Sequence, residues 1–420
     1  MRAIAISRRI TPGRLWIAGL AVVMGLGFAA ALVVFYKGLV VTNLTDLVPW
    51  GLWITIDLSA IALSAGAFSL CAVVYLLGLK EFQPVARTAT FIGLIGYSMA
   101  MLCLLLDIGR PDRFWHGFVY WNPHSVLWEV TMCVGLYFAV LSLETLPIVG
   151  QADWFKSRWP RLSGRMTDLH HYAALLALAG LTLSMLHQSS LGATYGVLKA
   201  RSFWYRPGLS VLFILSAVIG GISLTVLAST IAARRSSFAN ANRKVLGKLA
   251  FAVGWLLIFY LYYRFWDTFS MTYTYEAGRT EGLRLLTRGP LALNFWLGEI
   301  LLGIVIPVLL LLPSRYRASE KHRIIALALV VMGLVFYRWD TNLAGQMVVQ
   351  SFLPQMDGML FTGYVPSLIE FLVGAGIIAY GLLAFTLGVR YLRVVDHRPV
   401  EGAEVLELDD PRIEAQGASS

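Results

Sequence analysis

The run Leu209-Ser-Val-Leu-Phe-Ile-Leu-Ser-Ala-Val-Ile-Gly-Gly-Ile-Ser-Leu-Thr-Val-Leu-Ala-Ser-Thr-Ile-Ala-Ala233 decides the fold. It carries no charge and exceeds the roughly 20 residues a helix needs to cross a hydrocarbon core of about 30 Å. A bilayer core offers no water to backbone N–H and C=O groups, so a crossing segment is a helix or a strand of a closed barrel. Barrel strands alternate apolar and polar residues, and this run does not alternate. It reads as a membrane helix.

The same signature recurs outward in both directions. Spans are expected near Leu15–Tyr36, Trp53–Leu79, Ala89–Leu106, Ser125–Leu146, His171–His187, Leu209–Ala233, Leu246–Phe265, Leu291–Leu312, Ile324–Phe336 and Leu368–Leu392. Of the 420 residues, 58% are hydrophobic and 14% charged, against about 25% charged in a soluble domain. The fold class is therefore an all-α polytopic membrane protein of about ten helices. A single membrane domain is expected over residues 1–396. A tail over 397–420, rich in Glu401, Glu404, Glu407, Asp409 and Asp410, reads as a disordered cytoplasmic end.

Charge sets the orientation. With the N-terminus in the cytoplasm, 23 of the 34 Lys and Arg residues fall on inner segments, the bias that cytoplasmic loops show. Both termini are then cytoplasmic, and the membrane is a bacterial inner membrane. The net charge of +10 is mostly this topology signal and gives no support to nucleic-acid binding. Arg8–Arg9 precedes an apolar stretch as in a twin-arginine leader, but the motif is incomplete and the run is of full span length. It reads as an uncleaved first helix. Cys71, Cys103 and Cys133 all lie inside spans without a C-x-x-C pair, so neither an iron–sulfur cluster nor a c-type haem is encoded here.

Ionisable groups inside spans are costly and mark function. They are Asp57, Asp107, Glu129, Glu144, His187, Glu299 and Glu370. Under this topology all but Glu144 gather at the outer face. Structural roles compete: Asp57 as an interhelical acceptor, Asp107 as a partner of Arg110, Glu370 as a first-turn interfacial residue, His187 as a helix cap. The densest segment runs Leu106-Asp-Ile-Gly-Arg-Pro-Asp-Arg-Phe-Trp-His-Gly-Phe-Val-Tyr-Trp-Asn-Pro-His-Ser-Val-Leu-Trp-Glu129. Gly109 and Pro111 end one helix, and Asn122 and Pro123 begin the next. Its aromatic belt is ordinary at an interface; Asp107, Arg110, His124 and Glu129 within it are not. A second outer segment, Met185-Leu-His-Gln-Ser-Ser-Leu-Gly-Ala-Thr-Tyr-Gly196, is read as a helix end closed by His187.

Three motifs carry a resemblance: Leu106-Asp-x-Gly-Arg-Pro111, Asn122-Pro-His-Ser-Val-Leu-Trp-Glu129 and His187-Gln-Ser-Ser-Leu-Gly192. In the second half, Arg338-Trp-Asp-Thr-Asn342 is the best match. The sequence resembles the NrfD/PsrC family, the quinone-interacting membrane subunits of periplasmic oxidoreductase complexes. The likeness is strongest to the subgroup with the hydrogenase-2 b-type subunit and the membrane subunits of sulfate-reducer redox complexes. The resemblance implies two four-helix bundles, about 53–187 and 209–336, flanked by one helix each. It implies a menaquinone or ubiquinone near the outer face and no haem or cluster in this subunit. A periplasmic ferredoxin-type iron–sulfur subunit would dock there, with cytochrome c, hydrogenase or molybdopterin-type subunits beyond it.

The residues support that role on their own terms. Reducing a quinone to quinol takes two electrons and two protons, so the site needs hydrogen-bond donors and a titratable relay. Histidine and carboxylate supply both. Asp107, Arg110, His124 and His187 are assigned to the quinone, and Asp57 and Glu129 to the proton relay. The inner half of such a relay is bare, since Glu144 lies roughly 22 Å along the helix from Glu129 at 1.5 Å per residue. A di-haem cytochrome b would need four histidines paired at matched depths, and the seven histidines present do not pair so. A secondary transporter would place its site at the midplane on broken helices, whereas these charges cluster at one face.

Overall fold

The computed structural model describes residues 12–75, 78–273, 275–351 and 358–397. The described part is almost wholly helical. Among the described residues, nine helices are long and apolar enough to cross a membrane, and a tenth is apolar over Leu52–Gly66. In sequence order they are α1 (Pro12–Lys37), α2 (Leu52–Tyr75), α3 (Gln83–Asp107), α4 (Val126–Gly150), α5 (Ala173–Gly196), α6 (Gly208–Arg235), α7 (Arg243–Ser270), α8 (Asn294–Leu311), α9 (Glu320–Met347) and α10 (Leu368–Tyr391). The protein is thus an all-α polytopic membrane protein. A short antiparallel pair, β1 (Val348–Gln350) and β2 (Met359–Phe361), follows α9 with Val348 opposite Phe361.

Packing groups the helices. α2 lies against α3 and α5, while α4 bridges α3 and α5. In the second half, α6 lies against α7 and α9, and α8 lies against α9. α2 also packs on α6 and α9, which joins the two groups, while α1 pairs with α10 on the flank of α3. Small residues permit these approaches, as is usual where lipid supplies no hydrophobic drive between helices. A Cβ on Gly27 of α1 would meet the Gly376 Cα of α10 at 2.6 Å. A Cβ on Gly66 of α2 would collide with the Ala217 carbonyl of α6.

Two helices run furthest beyond the sequence expectation, for one physical reason. α5 does not stop at His187 but runs on to Gly196. α9 does not stop at Phe336 but continues through Arg338-Trp-Asp-Thr-Asn342 to Met347. In both extensions the polar side chains are buried: Gln188, Ser190 and Thr194 on α5, and Arg338, Asp340, Asn342 and Gln346 on α9. They meet other helices instead of water, so polarity there does not signal a loop. α3 does end at Asp107, where Gly109 turns the backbone with a φ of +71°. α4 starts as expected, with the Ser125 hydroxyl accepting from the Trp128 N–H.

At the opposite end, residues 392–397 form a strap. The Arg87 guanidinium donates to the Leu392 carbonyl and the Thr88 hydroxyl to the Val394 carbonyl, each at 2.8 Å. Asn240, between α6 and α7, bridges to Asp396, and the His397 N–H reaches the Asn240 carbonyl at 2.8 Å. His397, placed by sequence at the start of the polar tail, is therefore buried against the α3 and α6–α7 ends. Residues 398–420 of that tail lie outside the described residues.

Candidate functional site

The interior of α2–α5 carries a polar core. His187 is fully buried, and its Nδ1 lies 2.7 Å from the Tyr97 hydroxyl of α3. Tyr97 packs edge-on against Tyr137 of α4 at 4.4 Å between ring centroids. The other ring nitrogen of His187, Nε2, is shielded and has no hydrogen-bond partner among the described residues. On α2, Asp57 is buried, and its Oδ1 also lacks a partner among them. Asp57 lies within electrostatic reach of both Asp107 and Tyr97. Asp107, at the end of α3, again has a shielded Oδ1 without a partner among the described residues, and senses Glu370 of α10. Neither Asp57 nor Asp107 enters an ion pair among the described residues.

The loop residues stand apart from this core. Arg110 does not reach Asp107. It is exposed and pairs with Asp112 at 3.0 Å, which holds the Asp112 carboxyl below its usual range through a hydrogen bond and charge. The reason is local: Gly109 turns the backbone outward, and Pro111–Arg113 forms a 3-10 turn that brings the two side chains together. His124 is exposed in the segment before α4, and Glu129 is partly buried one turn into it. The structure thus sets Asp57 near Asp107 and Tyr97, holds His187 on Tyr97 at a deeper level of α3 than Asp107, and leaves Arg110 and His124 at the surface. Glu370 is no loose interfacial residue. It is buried, accepts from the Ser367 and Asn43 N–H groups at 2.8 and 2.9 Å, and takes the Tyr364 hydroxyl.

Sequence reasoning missed the clamp between the two halves. Asn342 of α9 donates to the Trp50 carbonyl at 2.9 Å and accepts from the Tyr195 hydroxyl at 3.2 Å. Gln346 both accepts from the Trp50 N–H at 3.0 Å and donates to its carbonyl at 2.8 Å. Arg338 is fully buried over the Phe213 ring and donates to Gln188 of α5 at 3.3 Å and Ser216 of α6 at 3.1 Å. The available signal was the Arg338–Asn342 motif, to which the sequence alone gives no role. Tyr97, in an apolar span, gave none.

The second half holds its own buried charges. Arg264 of α7 grips Glu299 of α8 at 2.7 and 3.1 Å, and the Tyr260 hydroxyl adds a third contact at 3.2 Å. Asp267 sits between Arg264 at 3.2 Å and Arg206 at 2.8 Å. Both carboxylates of this cluster have a cation. A carboxylate and an imidazole without one, as in α2–α5, can take up and release protons against a bound partner molecule.

Comparison with known proteins gives these sites a context. Residues 40–350 match the family described as polysulphide reductase, NrfD. The protein is 33% identical over 394 residues to the menaquinone reductase integral membrane subunit of Nitratidesulfovibrio vulgaris, covering 90% of this sequence and 91% of that one. It is 25% identical over 363 residues to the probable Ni/Fe-hydrogenase 2 b-type cytochrome subunit of Escherichia coli, covering 84% and 86%. The Hdr-like menaquinol oxidoreductase integral membrane subunit of Archaeoglobus fulgidus is 24% identical over 399 residues, covering 92% of this sequence and 94% of its own. The protein belongs to the polysulphide reductase NrfD family of integral membrane proteins.

Proposed function

We propose that this protein is the quinone-interacting membrane subunit of a multi-subunit oxidoreductase. The observation that carries the reading is a set of three shielded atoms within one half, none with a partner among the described residues: Asp57 Oδ1, Asp107 Oδ1 and His187 Nε2. A buried polar atom without a partner is uncommon and asks for a ligand or water. A quinone would meet Asp107 and His187 at different levels, since Tyr97, which holds His187, lies roughly 15 Å along α3 from Asp107. His187, held by Tyr97, and Asp107 are assigned to the quinone; Asp57 and Glu129 pass protons to and from it. Arg110 and His124 stand at the surface mouth. The names of the relatives, among them the menaquinone reductase and the Hdr-like menaquinol oxidoreductase subunits, favour menaquinone over ubiquinone.

The partner is a ferredoxin-type iron–sulfur subunit docked on the face that carries the α3–α4 loop, with further redox subunits of cytochrome c, hydrogenase or molybdopterin type beyond it. Exposed aromatics there, Trp115, Tyr120 and Trp121, support this. The positive-inside bias supports assigning that face to the periplasm of a bacterial inner membrane, with both termini cytoplasmic. The test is Asp107→Asn in the assembled complex. Quinone-linked turnover is expected to fall at least tenfold, below the roughly 10²–10⁴-fold that one acid–base group contributes, with the subunits still co-purifying. Turnover at the wild-type rate overturns the assignment.

A further inference from the structure

A cavity of about 640 Å³ lies in the second half, between the end of α7, the short helix Arg279–Thr287 and the start of α8. That volume falls in the range of roughly 300–1,000 Å³ typical of small-molecule sites. It is remote from the α2–α5 core in sequence and in fold, and the quinone reading does not use it. Its walls have two characters. Leu261, Phe265, Phe269, Trp296 and Ile300 give it an apolar part, and Phe265, Phe269 and Trp296 are exposed on membrane-spanning helices. Arg284 and Arg288 give it a basic part, spaced one helical turn apart, exposed, and in no ion pair among the described residues. The wall is braced: the Trp296 indole donates to the Thr287 carbonyl at 3.0 Å.

Two arginines near the end of a short helix also complement its dipole, and that alone is no site. A second observation points to a ligand. The Thr268 hydroxyl, which lines the cavity, is shielded from solvent and has no hydrogen-bond partner among the described residues. Arg264 closes the floor but is fully taken by Glu299 and Asp267, so the charge left for an incoming group is that of Arg284 and Arg288. An anion is therefore wanted at the mouth and an apolar body along the wall, at the level where helices leave the bilayer.

We propose that this cavity binds an anionic phospholipid, with its phosphate on Arg284 and Arg288, a glycerol or ester oxygen on Thr268, and an acyl tail along Phe265 and Ile300.

The test uses the full-length protein in its complex, delipidated in neutral detergent and titrated with long-chain phosphatidylglycerol or phosphatidylcholine under native mass spectrometry. At least tenfold preference for phosphatidylglycerol is expected. Arg284→Gln with Arg288→Gln should remove it, while Arg315→Gln with Arg390→Gln at the other end should not. Thr268→Val should weaken binding of both lipids alike. Equal binding of the two lipids, or loss of preference in the Arg315/Arg390 control, overturns the proposal. Displacement by millimolar inorganic phosphate reassigns the site to a free anion, and displacement by a short-chain menaquinone reassigns it to a quinone. Either result overturns the lipid assignment and leaves the α2–α5 test with Asp107→Asn unaffected.

Discussion

Two clusters of buried charge, one in each half, are built in opposite ways. In the second, Glu299 and Asp267 are locked by Arg264 and Arg206 at 2.7 to 3.2 Å. In the first, Asp57 and Asp107 are buried or nearly so and have no cation among the described residues. A locked pair holds helices together and has no proton to exchange. An unlocked carboxylate contributes little to holding helices but can change its charge state. The Arg264 cluster therefore reads as scaffold and the Asp57–Asp107 set as chemistry, while Asp340 of α9 is buried without an ion pair among the described residues.

That comparison is most easily broken at the lock. Arg264→Met leaves Glu299 and Asp267 without their shared cation, and removing one partner of a buried pair costs about 3–5 kcal/mol. Unfolding in detergent followed by tryptophan fluorescence should register that loss, and adding Glu299→Gln to the same variant should recover part of it. A stability unchanged by Arg264→Met would erase the distinction between the two clusters.

The next effect is smaller and sharpens the other side. Tyr97→Phe removes the hydroxyl beside His187 Nδ1, a hydrogen bond worth about 1 kcal/mol net. Stability should drop by about that much while quinone-linked turnover falls more, since the imidazole loses its orientation. His124→Ala, at an exposed residue, should lower turnover less than Tyr97→Phe does. Steady-state assays of the two variants in one preparation rank them, and the reverse order would move the site outward to the α3–α4 loop.

The smallest effect concerns pH. Burial pushes the His397 imidazole down to about 4, from a usual value near 6.5. A histidine whose folded pKa is lowered favours the folded strap when neutral. Its contribution is complete above about pH 6.5 and is lost as pH falls toward 4. Protection of the Asn240 and His397 amides, relative to intrinsic exchange at each pH, should fall between pH 6.5 and 4, and His397→Ala should flatten that dependence.

Much of this was legible in the sequence. The spans followed from hydrophobic runs, the end of α3 from Gly109 and Pro111, and the start of α4 from Ser125. The unread parts have a common cause. A sequence gives the polarity of a residue but not its neighbour. His187-Gln-Ser-Ser has the polarity of a helix running into water, yet those groups face other helices. Arg110 lies near Asp107 in the motif, while the local turn gives it Asp112. Tyr97 and Asn342 depend on contacts between distant helices, with 90 residues separating Tyr97 from His187 and 292 separating Asn342 from Trp50.

The Asn342–Gln346 clamp has a mechanical consequence. It grips the backbone at Trp50, where the polypeptide enters α2, while Arg201 ties the Leu47 and Gln346 carbonyls together at 2.9 and 2.8 Å. At the far end, the strap of residues 392–397 joins α3 to the turn between α6 and α7. A body sutured at both ends cannot rock one half against the other to open first one side and then the opposite. Motion inside it is left to side chains and water, within a frame pinned at both ends.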